Sequence, residues 1–462
     1  MKRIGAIVLA IMMIAMVGAA YAADGTNNTN DDTGSLNNAT DPNSAIKTVS
    51  SNTFTLNKTL IMFNPETVGV YEPSIQYTYS VSTVTVSTGA TVTDDGSLNG
   101  GTSVTYQVKS GVAGGLIFTS ATAFSNSTKV AGVNPAGTLV EKTITLTTDP
   151  TVFSAAGIYR YKLTDTTDVD DLNAVGITRP ADYKVDRYID LYVKNDGNNA
   201  NGTPKFKIEN AVVFTNEDIA DPTTGDITTT TLKTTGYNES AQSDNDYTDD
   251  TNADHYYTYN LKVEKETTGN LADRSHQFPF SVSISGIKAA KITYAGVGVA
   301  AASATDETVT SNAVSKGTLA EDSVLKLKDG ESVTFYGIPY GASATVNEYN
   351  DTYDEYKAIA STTKTTYAST EVKLASDVTL TSKTPTAKAE LASILIDAGT
   401  AHTATDSTQS SAQTTLAHFT NNLAEISPTG YVTRFAPYAL ILVGGIVLLI
   451  ISKKHRKHTE ED

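Results

Sequence analysis

The amino-acid sequence predicts an all-β protein with two tandem β domains. The 462 residues are rich in Thr, Ser, Asn, Gly and Tyr and contain neither Trp nor Cys. This composition suits sheets with polar outer faces better than helix bundles. Many short segments alternate apolar with polar residues, as half-buried strands do. One set of polar landmarks also occurs twice along the chain, which indicates two copies of one module.

The N-terminus has the pattern of a cleaved secretory signal peptide. Lys2 and Arg3 form a basic start, segment 4–17 is apolar but short for a bilayer span, and Ala20 and Ala22 form an A-x-A cleavage pattern. The alternative is an uncleaved anchor helix. Exported proteins of this size commonly carry disulfides. Without Cys, any covalent bracing must use other chemistry.

Changes in the alternation pattern set the predicted domain boundaries. Strand-like alternation begins near Thr53, is lost in a polar, acidic stretch, and then resumes. Within the second β domain, residues 387–401 are predicted to form a short helix. The predicted segments are a signal peptide at 1–23, a flexible N-terminal segment at 24–48, a β domain at 49–217, a linker or long loop at 218–256, a second β domain at 257–424, and a C-terminal signal, span and basic tail at 425–462.

The charge of the chain excludes nucleic acid as an expected partner. The formal net charge is −17. Removal of both predicted processed ends would leave the body at about −21, a charge that phosphate repels. The chain has no H-E-x-x-H motif and its six His show no metal-ligand spacing. We therefore expect no metal, no cofactor and no turnover enzyme.

Each predicted domain places a Lys near its first strand, an acidic residue further on, and the Asn of a final F-T-N stretch near its end. The Lys and Asn are 158 positions apart in the first domain and 156 in the second. Taken alone, such a Lys is usually a solvated edge charge and such an Asn a turn residue. The landmarks are Lys58, Asp165 and Asn216 in the first domain, and Lys265, Glu348 and Asn421 in the second.

These three residue types can form a covalent brace if they meet in an apolar core. Burial lowers the pKa of a Lys, and the neutral amine is a nucleophile. Burial raises the pKa of a carboxyl, which can then donate a hydrogen bond to the Asn carbonyl and relay protons. Attack by the amine with loss of ammonia would leave an isopeptide bond. The reaction needs no cofactor and occurs once.

The motifs and their order resemble Gram-positive pilus backbone (major pilin) proteins of the streptococcal FctA, or T-antigen, type. In the second domain the matching stretches are "LKVEKETTGN", "FPFSVSI", "LKDGESVTFYGIPYGASATVNE" and "HFTN". In the first they are "GIYRYKLTD", "RYIDLYV" and "VVFTN". Single motifs are weak, but their order along most of residues 50–451 is specific.

This resemblance implies two Ig-like β-sandwiches with intramolecular Lys–Asn isopeptide bonds. The implied pairs, each with its acid, are Lys265–Asn421 with Glu348 and Lys58–Asn216 with Asp165. Asp165 departs from the family pattern because its side chain is one methylene shorter than Glu. The resemblance therefore does not decide whether the bond of the first domain forms. The alternative residues in the second domain are Lys262 and Asn422.

The C-terminal residues resemble a sorting signal for a pilus-assembling sortase. An apolar stretch at 435–451 is followed by a basic cluster that would hold the C-terminus inside the cell. The preceding "ISPTG" keeps the Thr-Gly pair of the common L-P-x-T-G signal but shifts the Pro by one place. We predict cleavage between Thr429 and Gly430. The alternative is an ordinary single-pass anchor.

The resemblance also implies that a surface Lys of the first domain accepts Thr429 of the next subunit. Lys205 and Lys207 are the candidate polymerisation lysines, and Lys184 and Lys194 are alternatives. The expected partners are the sortase, other copies of the chain, minor pilins, host surface ligands and, before cleavage, the membrane. The predicted function is a structural subunit of a wall-anchored pilus. The alternative is a wall-anchored adhesin of pilin-like fold, displayed singly or at a pilus tip.

Overall fold

The structure is a computed structural model that describes most of the chain between residues 46 and 450. The described residues are 46–86, 88, 91–94, 104–214, 234, 236–238, 247, 250–288, 290–297, 305–308, 313–316, 325–349, 357–365, 371–373, 378–380, 388–396, 414–423 and 438–450.

Strands dominate both halves of the chain. The first half contains β1 (Ile46–Thr48), β2 (Thr53–Phe63), β3 (Val68–Tyr71), β4 (Tyr79–Thr83), β5 (Thr91–Asp94), β6 (Val104–Ser110), β7 (Leu116–Ala121), β8 (Lys129–Val133), β9 (Thr138–Thr148), β10 (Gly157–Asp165), helix α1 (Val169–Ala174), β11 (Ile177–Thr178), β12 (Asp186–Asn198), β13 (Pro204–Phe214) and β14 (Gly236–Tyr237). The second half contains β15 (Asp254–Thr268), β16 (Phe278–Ser285), β17 (Lys291–Val297), β18 (Thr305–Thr308), β19 (Ala313–Lys316), β20 (Leu325–Leu327), β21 (Ser332–Pro339), β22 (Ala342–Tyr349), β23 (Lys357–Thr365), β24 (Glu371–Lys373), β25 (Val378–Leu380), β26 (Lys388–Ile396) and β27 (Thr414–Asn422).

The N-terminal domain is a sandwich of two sheets. One sheet has the order β1-β13-β12-β10-β6-β5, and β4 also pairs with β10. The other is formed by β2, β9 and β7. Alternate residues of the two sheets meet in one apolar core that includes Leu56, Ile144, Leu163 and Ile189. This interdigitation of two inner faces is the packing expected of a β-sandwich.

The C-terminal domain repeats this arrangement with different strands. A sheet of β19, β16, β22 and β26, with β20 on β16, packs against β15, β17, β21 and β27. The shared core includes Phe280, Val346, Phe335 and Phe419. The predicted all-β fold with tandem sandwiches is therefore confirmed.

Strand β15 belongs to both domains. Its first four residues, Asp254 to Tyr257, pair in parallel with Leu60 to Phe63 of β2. From Thr258 onward the same strand pairs with β21, and from Asn260 it also pairs in parallel with β27. The largest sheet therefore runs through both sandwiches. Residues 236–237 and 254–256, within the segment predicted as a linker or long loop, are strand residues in this sheet.

Buried contacts around β15 hold the two domains together. The Phe63 ring stacks on Tyr257 with centroids 4.7 Å apart and meets His255 edge-on at 5.4 Å. Next to these rings, the Asn64 amide donates to Thr258 Oγ1 at 2.9 Å and Asn260 Oδ1 at 3.1 Å. A buried amide satisfied by two partners fixes one geometry. The junction is packed as a core, with the Asn64 and Asn260 amides paired to each other.

The helix predicted within 387–401 is wrong, because residues 388–396 form strand β26. This strand pairs with β22, and the register shifts between Ala344 and Val346. As a result Leu391 and Ile394, three positions apart, both reach the core. Apolar residues three positions apart are typical of a helix, but here a bulge produces this spacing in a strand.

Residues 438–450 are helical, and their leucine and isoleucine side chains are exposed. Among the helices that the structure describes, none combines the length and apolarity needed for a bilayer span. The signal peptide at 1–23, the "ISPTG" stretch and both ends of the predicted span lie outside the described residues. These features stay predictions.

Stability should fall in mild acid because of His255. Burial lowers the pKa of His255 to about 4, although Asp254 opposes this shift. The unfolded chain therefore binds a proton below its ordinary pKa of about 6.5, and the folded chain does not until about pH 4. Between these pH values we expect a loss of about 3 kcal/mol in the free energy of unfolding.

Denaturant unfolding followed by circular dichroism between pH 7 and pH 4 would measure this loss. His255→Gln keeps a polar side chain of similar size without the titration, so its stability should depend less steeply on pH. Equal pH slopes for the variant and the parent chain would contradict the role of His255.

Candidate functional site

The C-terminal core contains a Lys, an acid and an Asn on three strands. Lys265 lies on β15 and Asn421 on β27, which are parallel neighbours. In their register Lys265 is opposite Phe419, and Asn421 is opposite Thr267. Because side chains alternate between sheet faces, Lys265 and Asn421 point to the same inner face. Glu348 on β22 approaches them from the opposing sheet.

These three side chains are in contact and buried. The Lys265 side chain is 0% exposed, and its Nζ lies 3.7 Å from Glu348 Oε2. The same Nζ donates to the carbonyl oxygens of Glu266 at 2.7 Å and Phe419 at 3.2 Å. Asn421 Nδ2 donates to Glu348 Oε1 at 2.5 Å. The acid thus bridges the amine and the amide.

The surroundings of Lys265 are aromatic and dry. Its Nζ lies 4.4 Å from the centroid of the Phe278 ring, and Phe280 meets Phe419 edge-on nearby. Burial lowers the pKa of Lys265 to about 8, although Glu348 raises it. The neutral amine is therefore far more accessible near neutral pH than it is for a solvated Lys.

This arrangement has the parts of an acyl-transfer site. A neutral Lys265 amine can attack the side-chain carbon of Asn421. Asn421 Oδ1 is buried and has no hydrogen-bond partner among the described residues. Since amide oxygen and nitrogen are assigned from the hydrogen-bond network, a half-turn of this amide would aim Oδ1 at Glu348. A protonated Glu348 could then donate to the oxygen on which charge develops.

The N-terminal core contains a second buried Lys. Lys58 on β2 donates to Asp254 Oδ2 at 2.7 Å and to the Tyr183 hydroxyl at 2.8 Å. Asp165, the last residue of β10, places its Oδ2 3.7 Å from the same amine. The ring centroid of Tyr77 lies 4.3 Å from Lys58 Nζ. Lys58 is thus enclosed by two carboxylates and three tyrosine rings.

Arg179 balances the charge of this cluster. Its Nε donates to Asp254 Oδ1 at 2.8 Å, and one terminal nitrogen donates to Asp254 Oδ2 at 3.0 Å and to Asp165 Oδ2 at 2.9 Å. Two cations therefore face two anions. Burial lowers the pKa of Lys58 despite Asp254 and Asp165. Burial raises the pKa of the Asp254 carboxyl, but Lys58 and Arg179 outweigh this and hold it well below its usual range.

The structure brings most of the predicted pairs together. Lys265, Glu348 and Asn421 meet in one core, and Lys58 meets Asp165 in the other, whereas Asn216 lies outside the described residues. The alternatives lie elsewhere. Lys262 is a third exposed and pairs with Glu264 on the opposite face of β15, and Asn422 donates to Thr268 Oγ1 at 2.9 Å.

Asp254 and Arg179 were not predicted from the sequence. Asp254 follows the acidic run that suggested a linker, yet it is the first residue of β15, the strand that also carries Lys265. The tyrosine-rich, strand-forming residues that begin at Tyr256 were the available signal. Arg179 follows a two-residue strand in a connection that carries no periodic pattern.

Three of the four lysines considered for polymerisation lie on one exposed hairpin. The strands β12 and β13 place Lys194 directly opposite Lys207. Lys205 pairs with Asp196 at 2.6 Å, and Lys194 pairs with Glu209. Lys207 is exposed, and no acidic group of the described chain lies within ion-pair distance of it. Lys184 is half-buried ahead of β12.

Comparison with known families gives one match. Residues 259–388 match a family described as a domain of unknown function, DUF7601. No curated protein matches the chain.

Solved structures similar to this chain include the major pilin from Streptococcus pyogenes, with 16% identity and a TM-score of 0.40 over 80% of this chain and 99% of that one. The major pilin T3.2 from the same organism gives 17% and 0.40 over 82% and 99%. The pilus-presented adhesin Cpa gives 16% and 0.21 over 52% and 37%. Values this low transfer no residue role to this chain.

Removing Arg179 should destabilise the N-terminal domain strongly. Arg179→Met would leave the buried Asp165 carboxylate without its nearest cation in a site that water does not reach. Breaking a buried charge network in this way costs about 3–5 kcal/mol. Thermal and urea unfolding at pH 7 would measure the change.

Arg274→Met is the matched control. Arg274 is 69% exposed and lies 3.5 Å from Asp329, so its removal should change stability by at most about 1 kcal/mol. Similar losses for the two variants would contradict the assignment of Arg179 to a buried network.

Proposed function

We propose that this chain is a structural subunit of a sortase-assembled covalent surface pilus, braced by internal isopeptide bonds. The Lys265–Glu348–Asn421 cluster is the observation that supports this function best. A turnover enzyme needs an open site, but here the nucleophile, the acid and the acyl group all belong to the chain and are buried together. Chemistry at such a site modifies the protein itself, once.

The product would brace the C-terminal domain. An amide between Lys265 and Asn421 would join the first and last strands of this sandwich, which already pair in parallel. It would close a loop of about 155 residues, and by analogy with disulfides such closure stabilises by about 4–5 kcal/mol. The bond also cannot be reduced. An exported protein without Cys gains from it what others gain from disulfides.

Polymerisation would use the two ends of the subunit. The sortase thiolate would attack the bond between Thr429 and Gly430, and a lysine amine of the next subunit would take over the Thr429 acyl group. The exposed β12–β13 hairpin supports Lys205 and Lys207 as the acceptors. Lys207 is favoured because its amine is not held by an acidic neighbour within the described part of the chain.

The implied location is the wall of a Gram-positive cell. The signal peptide would export the chain, and the C-terminal span would hold it in the membrane until the sortase acts. The partners are then the sortase, further copies of the chain, and minor pilins or host surface ligands.

The second candidate function is a wall-anchored adhesin of pilin-like fold. The observation in its favour is a surface cavity of about 620 Å³ beside the hairpin, lined by residues that include Gln107, Lys109, Lys194 and Asn210. A concave site of this size suits a small surface ligand. An adhesin displayed singly would not polymerise, whereas a shaft subunit would.

The internal bond of the C-terminal domain should appear as missing mass. Release of ammonia lowers the mass of the secreted chain by about 17 Da relative to its sequence. In Asn421→Ala and Glu348→Ala this deficit should shrink by about 17 Da, because the acyl group or the proton relay is lost. Intact-mass spectrometry of the folded protein measures the deficit.

Asn422→Ala is the matched control for the acyl group, because Asn422 bonds Thr268 away from the cluster. Its deficit should equal that of the parent chain. Loss of the deficit in Asn422→Ala but not in Asn421→Ala would refute the assignment.

The pilus function predicts a ladder of covalent multimers from cells in boiling detergent. Thr429→Ala should abolish the ladder, because the acyl donor is lost. Lys205→Ala combined with Lys207→Ala should also abolish it, and Lys184→Ala should leave it unchanged. A single band from cells that express the parent chain and its sortase would favour the adhesin instead.

A further inference from the structure

The two buried clusters are built on the same strand register. In the C-terminal domain, Asn421 lies opposite Thr267, two residues beyond Lys265. In the N-terminal domain, Asp254 lies opposite Leu60, two residues beyond Lys58. In both domains the neighbouring strand runs parallel to the one that carries the Lys. Asp254 therefore occupies in the first domain the position that Asn421 occupies in the second.

The acids also correspond. Asp165 approaches Lys58 from the opposing sheet, as Glu348 approaches Lys265, and the closest oxygen lies 3.7 Å from the amine in both cases. The equivalence thus includes three residues in each domain. The corresponding residues lie on different strands and at different spacings along the chain. The repeated Lys-to-Asn spacing in the sequence therefore does not reveal the correspondence.

We propose that the amine of Lys58 condenses with the carboxyl of Asp254 to form an amide, with release of water. This inference rests on the proposed function, because it assumes that the fold promotes condensation at its buried Lys positions. It differs in the acyl partner, which is a carboxyl, and in the leaving group.

The condensation balances with the groups present. Proton transfer from the Lys58 ammonium to Asp254 gives a neutral amine and a carboxylic acid. Nζ then bonds to Cγ of Asp254, and the charge that develops on Oδ1 is stabilised by Arg179, which already donates to that oxygen. The bond from Cγ to Oδ2 breaks. Oδ2 leaves as water after it takes a second proton from the attacking nitrogen.

Proton carriers lie at both ends of this transfer. The Tyr77 hydroxyl donates to Asp254 Oδ2 at 2.8 Å, the oxygen that leaves. Asp165 lies close enough to the Lys58 amine to accept its proton after the attack and before Oδ2 leaves as water. Overall, one ammonium and one carboxylate become one amide and one water, and no other reactant is needed.

Burial favours the product. In water the separated ions are well hydrated, but here Lys58 is 2% exposed and Asp254 0% exposed, so the ions lack that hydration. Contact at 2.7 Å also supplies the high effective concentration of an intramolecular reaction. After condensation Arg179 and Asp165 remain as one matched ion pair, so the core stays neutral.

The strand pairing favours Asp254 over Asn216 as the partner of Lys58. The strand that precedes Asn216 is β13, which pairs with β12 and β1 in the sheet opposite β2. Asp254 lies on the strand next to Lys58 and its carboxylate touches the amine. The sequence alone does not single out Asp254, because an acidic run precedes β15 and Asp254 lies in no F-T-N stretch.

Tryptic mapping of the folded, secreted chain tests the proposal. Lysine bound as an amide resists trypsin, so Lys58 should lie within the peptide 48–109. That peptide should be joined to 234–262, which contains Asp254, at a mass about 18 Da below their sum. A join to 208–233, which contains Asn216, at about 17 Da below the sum would overturn the proposal. Cleavage after Lys58 in the bulk of the protein would also overturn it.

Asp254→Asn provides the second, sharper test. Loss of ammonia from the variant and loss of water from the parent give the same amide, so both should yield one branched peptide of identical mass. The unreacted 234–262 peptides differ by about 1 Da. Asn216→Ala should keep the branch and Lys58→Met should lose it. A branch that survives in Lys58→Met would refute the assignment.

These outcomes separate the two proposals. A chain that carries the Lys265–Asn421 bond and a free Lys58 would overturn only the inference about Asp254. A chain that carries neither bond would overturn both the inference and the braced-subunit function.

Discussion

The parallel pairing of β15 with β2 on one side of the domain junction and with β27 on the other is the constraint on which the rest of the structure depends. This strand ends the first sandwich and begins the second without a break. Its register decides which side chain stands beside Lys58 and which face carries Lys265. A slip of one residue would turn both clusters out of their cores. The buried contacts of Phe63 and Asn64 hold that register in place.

The two clusters show how surroundings set the state of a buried Lys. Around Lys265 the neighbours are Phe rings and one contacting acid, Glu348, and desolvation lowers the pKa of the amine although Glu348, Asp329 and Glu266 oppose it. Around Lys58 the neighbours are two carboxylates, Arg179 and tyrosine hydroxyls. Each buried charge therefore has an opposite charge beside it, and the hydroxyls add hydrogen bonds. The first is an apolar site that favours neutral reactants. The second is a balanced ion network in which proton transfer must come before any bond.

Sequence reasoning predicted what periodicity and motif order can carry. The strands, the tandem sandwiches and the meeting of Lys265 with Glu348 and Asn421 all lie in alternating segments. It failed where tertiary pairing overrides local pattern. The bulge in β26 gave an apolar spacing like that of a helix. Asp254 was assigned to a linker because a polar run precedes it, and only its parallel pairing with β2 shows its place beside Lys58.

The continuity of β15 also bears on mechanics. Domains joined by a flexible linker swivel relative to one another by default. Here one strand is hydrogen-bonded in both sandwiches with no residue left between them, so the junction has no hinge about which to bend. A filament of such subunits would be stiff within each subunit. Its bending would be concentrated at the joints from one copy to the next.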